Sequence, residues 1–305
     1  MNISDGSRMV LSKTEVKVVS CTRWAEMQQT VIYHAELAAL LHAPTVFRLL
    51  NEPGNGVGNQ QFSVAESKLD ISRDLGIARS IISNTHPAGV TPLSARLLEI
   101  RDNIVQLAPK LRQDGTRVAI IIATDGLPTD RNGSCSTYTK DEFVNALRAL
   151  EGLPVWVVIR LCTDEKDVVD FYNDLDHQLE LSLEVLDDFL QEAKELYKYN
   201  KWINYALPLH RCREMGYHHR LFDLMDERKL TKDEVRDYFV FLFGEESMAS
   251  VPNIHADWKG FLSGTQMLLQ RESKQWNPVT KAMGPWIDLK QLNRSFGNGR
   301  GCVLM

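Results

Sequence analysis

Side chains that carry oxygen occur in three separated segments that could together bind a hard metal cation. Asp5 and Ser7 lie near the start of the chain. Thr91 stands just ahead of a segment with helical periodicity, and Asp125 directly follows an apolar run. Carboxylate and hydroxyl oxygens, completed by water, form the octahedral shell that Mg²⁺ prefers. These four residues are therefore the predicted ligands of a magnesium site, and none is assigned a catalytic role.

A second residue with distinctive chemistry is Cys302, which begins the sequence Cys302-Val303-Leu304-Met305. This tetrapeptide fits the C-a-a-X prenylation box, in which a final methionine favours a farnesyl group. Basic residues upstream are sparse, and one lipid chain without a polybasic patch gives only reversible membrane binding. The sequence therefore predicts lipidation at Cys302 and a peripheral association with membranes.

The predicted metal ligands require elements that bring their loops to one place. Three short apolar segments alternate with two segments of helical periodicity, a pattern typical of βαβ units and a parallel sheet. The strands are predicted at 118–123, 154–161 and 181–186, and the helices at 140–150 and 165–175. Ligands of such sheets bind beyond the carboxyl ends of the strands, where Asp125 would lie. The uninterrupted apolar run at 118–123 predicts a strand near the centre of the sheet, with Ile121 buried.

The other segments extend this α/β pattern and divide the chain. A helix is predicted at 22–43, strands at 45–50 and 61–65, a helix that Asp70 caps, and a helix that begins near Pro92. Residues 1–200 are thus predicted to form a doubly wound, mostly parallel sheet with helices on both faces. The rest is predicted to comprise a helical extension at 201–245, an appended irregular region at 246–294 and a flexible tail at 295–305.

Over roughly residues 1–200 the sequence resembles the von Willebrand factor A domain family. The resemblance is carried by ATDGLPTD after a strand, AGVTPL ahead of a helix, and DGSRM followed by TRWAEM. It implies a metal-ion-dependent adhesion site in which Mg²⁺ presents an open position to an Asp or Glu of a partner. Its ligands would be Asp5, Ser7, Thr91 and Asp125. The implied function is that of an intracellular protein-interaction module that binds its partner through the metal edge of the sheet.

Two departures from that family make the metal site degenerate. Met9 stands where the motif DxSxS has its second serine, and a different alignment would remove this ligand loop by placing Ser4, Gly6 and Arg8 at the ligand positions. Met1–Ser4 alone precede the motif in this sequence, so the resemblance implies a truncated first strand. Two alternatives remain open. One is a metal-dependent hydrolase acting on a phosphate or ester, and the other is a metal-free scaffold with the same fold.

The composition of the chain limits which kinds of partner and which cellular compartment are expected. The 40 acidic residues outnumber the 35 basic ones, so the net charge is −5 and nucleic acid is not an expected partner. The 5 cysteines are scattered without a CxxC pair, which favours a reducing compartment. No secretory signal is visible, and no apolar run approaches the ~18 residues of a membrane span. The sequence favours a cytoplasmic binding module over an enzyme, with membrane association through the lipid.

Overall fold

The computed structural model describes residues 1–11, 16–67, 69–175 and 178–297. It divides the chain into two compact units. Unit 1 comprises Met1–Asp188 together with Glu214–Gly216, and unit 2 comprises Phe189–Arg213 and the chain from Tyr217 onward. The first unit therefore ends before the boundary predicted at residue 200. Most of the predicted tail at 295–305, including Cys302, lies outside the described residues.

Unit 1 is a mixed α/β structure whose elements follow the predicted alternation. Asp70 caps a helix as predicted, since its Oδ1 accepts a hydrogen bond of 3.1 Å from the backbone nitrogen of Arg73. The elements are β1 (Gly6–Leu11), β2 (Val16–Cys21), α1 (Arg23–Leu41), β3 (Thr45–Arg48), β4 (Gln61–Val64), α2 (Ile71–Asn84), α3 (Leu93–Gln113), β5 (Val118–Thr124), α4 (Thr137–Arg148), β6 (Val155–Leu161), α5 (Lys166–Asn173) and β7 (Leu183–Leu186).

The central feature of unit 1 is a three-stranded parallel sheet in the order β5-β6-β7. Its register places Val118 beside Val155 and Val157 beside Leu183. One face packs against α3, α4 and α5 in a core that includes the fully buried Phe143. Because β-branched side chains fill this face, the sequence signal for parallel strands was strong. The prediction of an α/β fold with a parallel sheet is confirmed at this level.

The position predicted for β5 is wrong, because the strand lies at an edge of the sheet rather than near its centre. Ile120 and Ile122 are 5% and 9% exposed, but Ile121 on the opposite face is 40% exposed. An apolar run indicates only that a strand is suited to burial on both faces. Whether the strand lies at the centre or at the edge depends on how many distant segments pair with it. Among the described residues, β5 pairs with β6 alone.

Two antiparallel hairpins complete the strands of unit 1. β3 pairs with β4, and this hairpin shares a small core with α1 and α2 in which Val64 is fully buried. β1 pairs with β2 in a hairpin that the sequence analysis missed, because DGSRM was interpreted as a loop. The signal was present in Val16–Cys21, where β-branched residues are frequent.

Unit 2 is mainly helical and has its own aromatic core. Trp202, Tyr238 and Phe239 are buried there, with rings 5.7 and 6.1 Å from Trp202. The region predicted to be irregular contains a helix of three turns and a short hairpin. The elements are α6 (Phe189–Tyr199), α7 (Leu207–Glu214), α8 (Arg220–Glu227), α9 (Lys232–Phe243), α10 (Glu245–Met248), α11 (Trp258–Leu269), β8 (Gln275–Asn277), β9 (Ala282–Gly284) and α12 (Leu289–Phe296). No helix within the described ranges is long and apolar enough to cross a membrane.

Candidate functional site: a carboxylate cluster around Arg23

Arg23 is the first residue of α1 and is held there by backbone contacts. Its side chain is only 4% exposed. The hydroxyl of Thr22 caps the helix by accepting a hydrogen bond of 3.1 Å from the nitrogen of Ala25. The nitrogen of Arg23 donates to the carbonyl of Ile3 at 3.0 Å, so the first residues of the chain lie against the start of the helix.

The guanidinium of Arg23 gathers carboxylates from three separate segments. Its Nε and Nη2 donate to the two oxygens of Asp5 at 2.8 and 2.6 Å, a bidentate pair. Its Nη1 lies 3.3 Å from Oε1 of Glu165 and 3.7 Å from Oδ2 of Asp125, which directly follows β5. Asp125 also contacts the α-amino group of Met1. The carboxyl end of β5 therefore lies beside a charged cluster with a cation at its centre.

The electrostatics of the bidentate pair keep both partners ionised. The hydrogen bonds from Arg23 lower the pKa of the Asp5 carboxyl below its usual value, although partial burial opposes the shift. The same hydrogen bonds raise the pKa of Arg23 above its usual value. Each charge thus stabilises the other, as expected for a charge-assisted bidentate pair whose arginine is buried.

The structure brings together two of the four predicted metal ligands. Asp5 and Asp125 both contact Arg23, as described above. The described hydrogen bonds of Thr91 use its main chain. Its nitrogen donates to Oγ1 of Thr129 at 2.9 Å, and its carbonyl accepts from the nitrogens of Thr129 at 3.0 Å and Leu93 at 2.9 Å. Ser7 lies in β1 opposite Ser20, and its side chain lies outside the described part of the chain.

The arrangement of these residues fits a guanidinium better than a magnesium ion. In the described part of the chain, no group of three or more His, Cys, Asp or Glu residues is placed to hold a metal. Arg23 lies between Asp5 and Asp125 and already supplies a positive charge to both. A divalent ion between the same carboxylates would be repelled by this buried guanidinium.

Sequence reasoning missed Arg23 and Glu165, although one signal pointed to the arginine. A cation in the first turn of a helix opposes the helix dipole, whose positive end lies there. Arg23 in the segment TRWAEM is such a residue, and a nearby carboxylate is the expected compensation. Glu165 precedes α5 and carried no comparable signal, because exposed glutamates are common ahead of helices.

A second buried charge cluster lies on the face of the sheet away from α3 and α4. Arg160 in β6 is 2% exposed, and its Nε donates to Oε1 of Glu214 at 2.9 Å. Its Nη2 contacts Glu26 of α1, and its Nη1 lies 2.8 Å from Sγ of Cys162. Burial raises the pKa of the Cys162 thiol to about 11, so it stays protonated at neutral pH. A lone arginine in the apolar strand VWVVIRL was the available signal.

The alternative of a hydrolase depends on a base near the predicted metal loops. The histidine closest in sequence to Thr91, His86, lies in the loop after α2 and is exposed. A general base must come within hydrogen-bond reach of the proton that it removes. The described hydrogen bonds and ion pairs place no contact between His86 and the Arg23 cluster.

Comparisons with known proteins add no family to this description. A scan against protein-family models finds no match to the chain. A search of curated proteins also finds no match.

Proposed function

We propose that unit 1 is a protein-interaction module of the von Willebrand A type that works without a metal ion. The observation that carries the metal-free part is the position of Arg23 between Asp5 and Asp125. The interaction part is supported by the motifs TDG and AGVTPL and by the parallel strands that lead to them. The doubly wound arrangement of that family belongs to this proposal.

The charge balance explains why a metal ion would be disfavoured. Unit charges about 4 Å apart interact by roughly 4 kcal/mol at an effective dielectric constant of about 20, and a divalent ion doubles this figure. Repulsion from Arg23 would therefore offset, by several kcal/mol, the attraction of the carboxylates for a magnesium ion. Displacing Arg23 instead would leave a cation that is 4% exposed without its bidentate partner, which is also costly.

Calorimetric titration of the wild-type protein with Mg²⁺ and Mn²⁺ tests this proposal. We expect no binding to the wild type, and weak binding to the variant Arg23→Gln, in which the three carboxylates lose the guanidinium that they share. The matched control is Arg79→Gln, because Arg79 forms a surface ion pair of 2.7 Å with Glu36, far from the cluster in sequence. Stoichiometric Mg²⁺ binding by the wild type would refute the metal-free proposal and restore the magnesium site.

A different assay distinguishes a metal-dependent hydrolase from the proposed interaction module. A panel of phosphate and carboxylic esters should show no turnover that depends on added Mg²⁺ or Mn²⁺. Turnover that disappears in Asp125→Ala, with the fold verified by circular dichroism, would favour the enzyme.

We also propose that Cys302 is farnesylated and gives reversible membrane association. The support is the C-terminal tetrapeptide alone, since Cys302 lies outside the described residues. Intact mass of the protein from a eukaryotic host is the direct measurement, with Cys302→Ser as the control. A C-terminal peptide that ends in unmodified CVLM would remove the lipid from the proposal.

A further inference from the structure

The open edge of β5 is the feature of unit 1 that the proposed function leaves without a role. Residues of a parallel strand direct their main-chain groups alternately to the two sides. The nitrogen of Val118 donates to the carbonyl of Pro154 at 3.0 Å, and the carbonyl of Thr124 accepts from Cys162 at 2.8 Å. The main-chain nitrogens and carbonyls of the even-numbered residues of β5 therefore point towards β6.

The alternate positions, Ala119, Ile121 and Ala123, direct their main-chain groups away from β6. Within the described residues, no hydrogen bond or strand pairing is found for these groups on that side. Such an edge is a template for pairing with another strand, and monomeric proteins usually protect it with charges, proline or a bulge. β5 has the sequence VAIIIAT and contains none of these protections.

The edge is also apolar and accessible. Ile121 exposes 40% of its surface, and Ala119 is exposed. A β-branched side chain at such a position is suited to cross-strand packing rather than to contact with water. The edge thus combines free main-chain donors and acceptors with an uncovered apolar side chain.

We propose that β5 pairs with β5 of a second copy of this chain, antiparallel and around a two-fold axis at Ile121. The segment Arg117–Asp125 has the sequence RVAIIIATD, which is nearly symmetric about Ile121. Around this axis Ile121 lies opposite Ile121 of the second copy, and Ala119 lies opposite Ala123 of the second copy. A two-fold interface needs such a self-complementary surface, because each residue meets the symmetric position of the other copy.

The direction of the main-chain groups fits the same axis. In an antiparallel pair, alternate facing residues exchange two main-chain hydrogen bonds, and the residues between them exchange none. Ile121 has its nitrogen and carbonyl at the open edge, so a dyad at this residue creates a hydrogen-bonded pair. Ala119 and Ala123 form the next such pairs on both sides of it.

Charge complementarity selects the antiparallel arrangement and its register. The two-fold axis places Arg117, which is exposed, opposite Asp125 of the other copy, and the symmetry creates this pair twice. Asp125 remains 22% exposed while it contacts Arg23. A parallel pairing would instead bring like charges together, and a shift of one residue would separate Arg117 from Asp125.

Light scattering coupled to size-exclusion chromatography tests the proposal on the full chain. Over a concentration series up to about 100 µM, we expect the wild type to approach twice its mass of 34.7 kDa. Ile121→Lys should be monomeric throughout, because it places two charges at the axis. Arg117→Glu should raise the dissociation constant about tenfold or more, since two opposite-charge pairs become like-charge pairs. The matched control Arg131→Glu has the same charge change in an exposed loop and should leave the dimer unchanged.

Amide hydrogen exchange makes the test independent of variants that fail to fold. In the wild type, the amides of Ala119, Ile121 and Ala123 should become protected as the protein concentration rises, whereas Ile120 and Ile122 should be protected at all concentrations. A wild type that stays monomeric, or a dimer that Ile121→Lys and Arg117→Glu leave intact, would overturn the proposal. So would a dimer in which the three outward amides exchange at the same rate as in the monomer.

Discussion

Asp226 of α8 is a partly buried carboxylate whose replacement by asparagine should stabilise unit 2 at neutral and alkaline pH. Its side chain is 25% exposed, and Oδ2 lies 3.9 Å from Nη2 of Arg213. That guanidinium is held more closely by Glu192 of α6, at 2.5 Å. Burial raises the pKa of Asp226 from its usual 3.8 to about 7, Arg213 opposes this shift, and Glu192 contributes to it.

The sign of the effect follows from the raised pKa. The folded protein holds a proton on Asp226 at pH values where the unfolded chain has lost it, so the stability from this group is complete below pH about 4. It is lost as the pH rises toward 7. A shift of about three pKa units corresponds to roughly 4 kcal/mol. Asp226→Asn cannot ionise, so it should be more stable than the wild type by about 2–4 kcal/mol at pH 8, and similar to it only near pH 4 and below.

Urea denaturation at a series of pH values measures this difference. Tryptophan fluorescence includes the signal of unit 2, because four of the six tryptophans lie in that unit and Trp202 is buried in its core. The matched control is Asp223→Asn, an exposed aspartate on the same helix, which should change the unfolding free energy by less than about 0.5 kcal/mol. If Asp226→Asn is neutral or destabilising at pH 8, or if its advantage does not grow between pH 5 and 8, the raised pKa inferred for this partly buried carboxylate is wrong.

Two further predictions concern local structure. Thr231→Ala should lower the unfolding free energy of unit 2 by about 1 kcal/mol, because Thr231 and Glu234 form a reciprocal capping box at the start of α9; urea denaturation measures the loss, and no change would contradict the capping role. Thiol labelling of the native protein at pH 8 should modify Cys135, which is exposed, and spare Cys162 until the protein unfolds, because burial raises the pKa of that thiol to about 11. Labelling of both cysteines at similar rates would mean that the chain opens readily at the end of β6, which Cys162 follows.

The sequence predicted the local elements of unit 1 better than the pairing between them. The apolar run at 118–123 and the cap at Asp70 depend on neighbouring residues, and both were confirmed. The exposure of Ile121 depends on which distant segment pairs with β5, and a pattern of hydrophobicity contains no such information. The hairpin of β1 and β2 was missed for a related reason, since a short polar turn motif near the chain start suggested a loop.

The part of the candidate site that lies at the end of a strand was predictable from the sequence. Asp125 was placed at the carboxyl edge of the sheet from its position after β5, and the structure places it there. Arg23 reaches the same cluster through the packing of α1, which is a tertiary property. Arg160 could have been recognised as unusual within an apolar strand, but its partner Glu214 is distant in sequence.

Arg160 and Glu214 have a consequence for the order in which the chain can complete its fold. Glu214–Gly216 belong to unit 1, although the segments on both sides belong to unit 2. A fragment that ends at Asp188 would keep Arg160 in β6 but would lose the carboxylate 2.9 Å from its Nε. Arg160 would still contact Glu26, but removing one partner from a buried ion pair typically costs up to about 3–5 kcal/mol. During synthesis, unit 1 therefore reaches its full stability only after residue 216 has left the ribosome, and no single cut of the chain can isolate it intact.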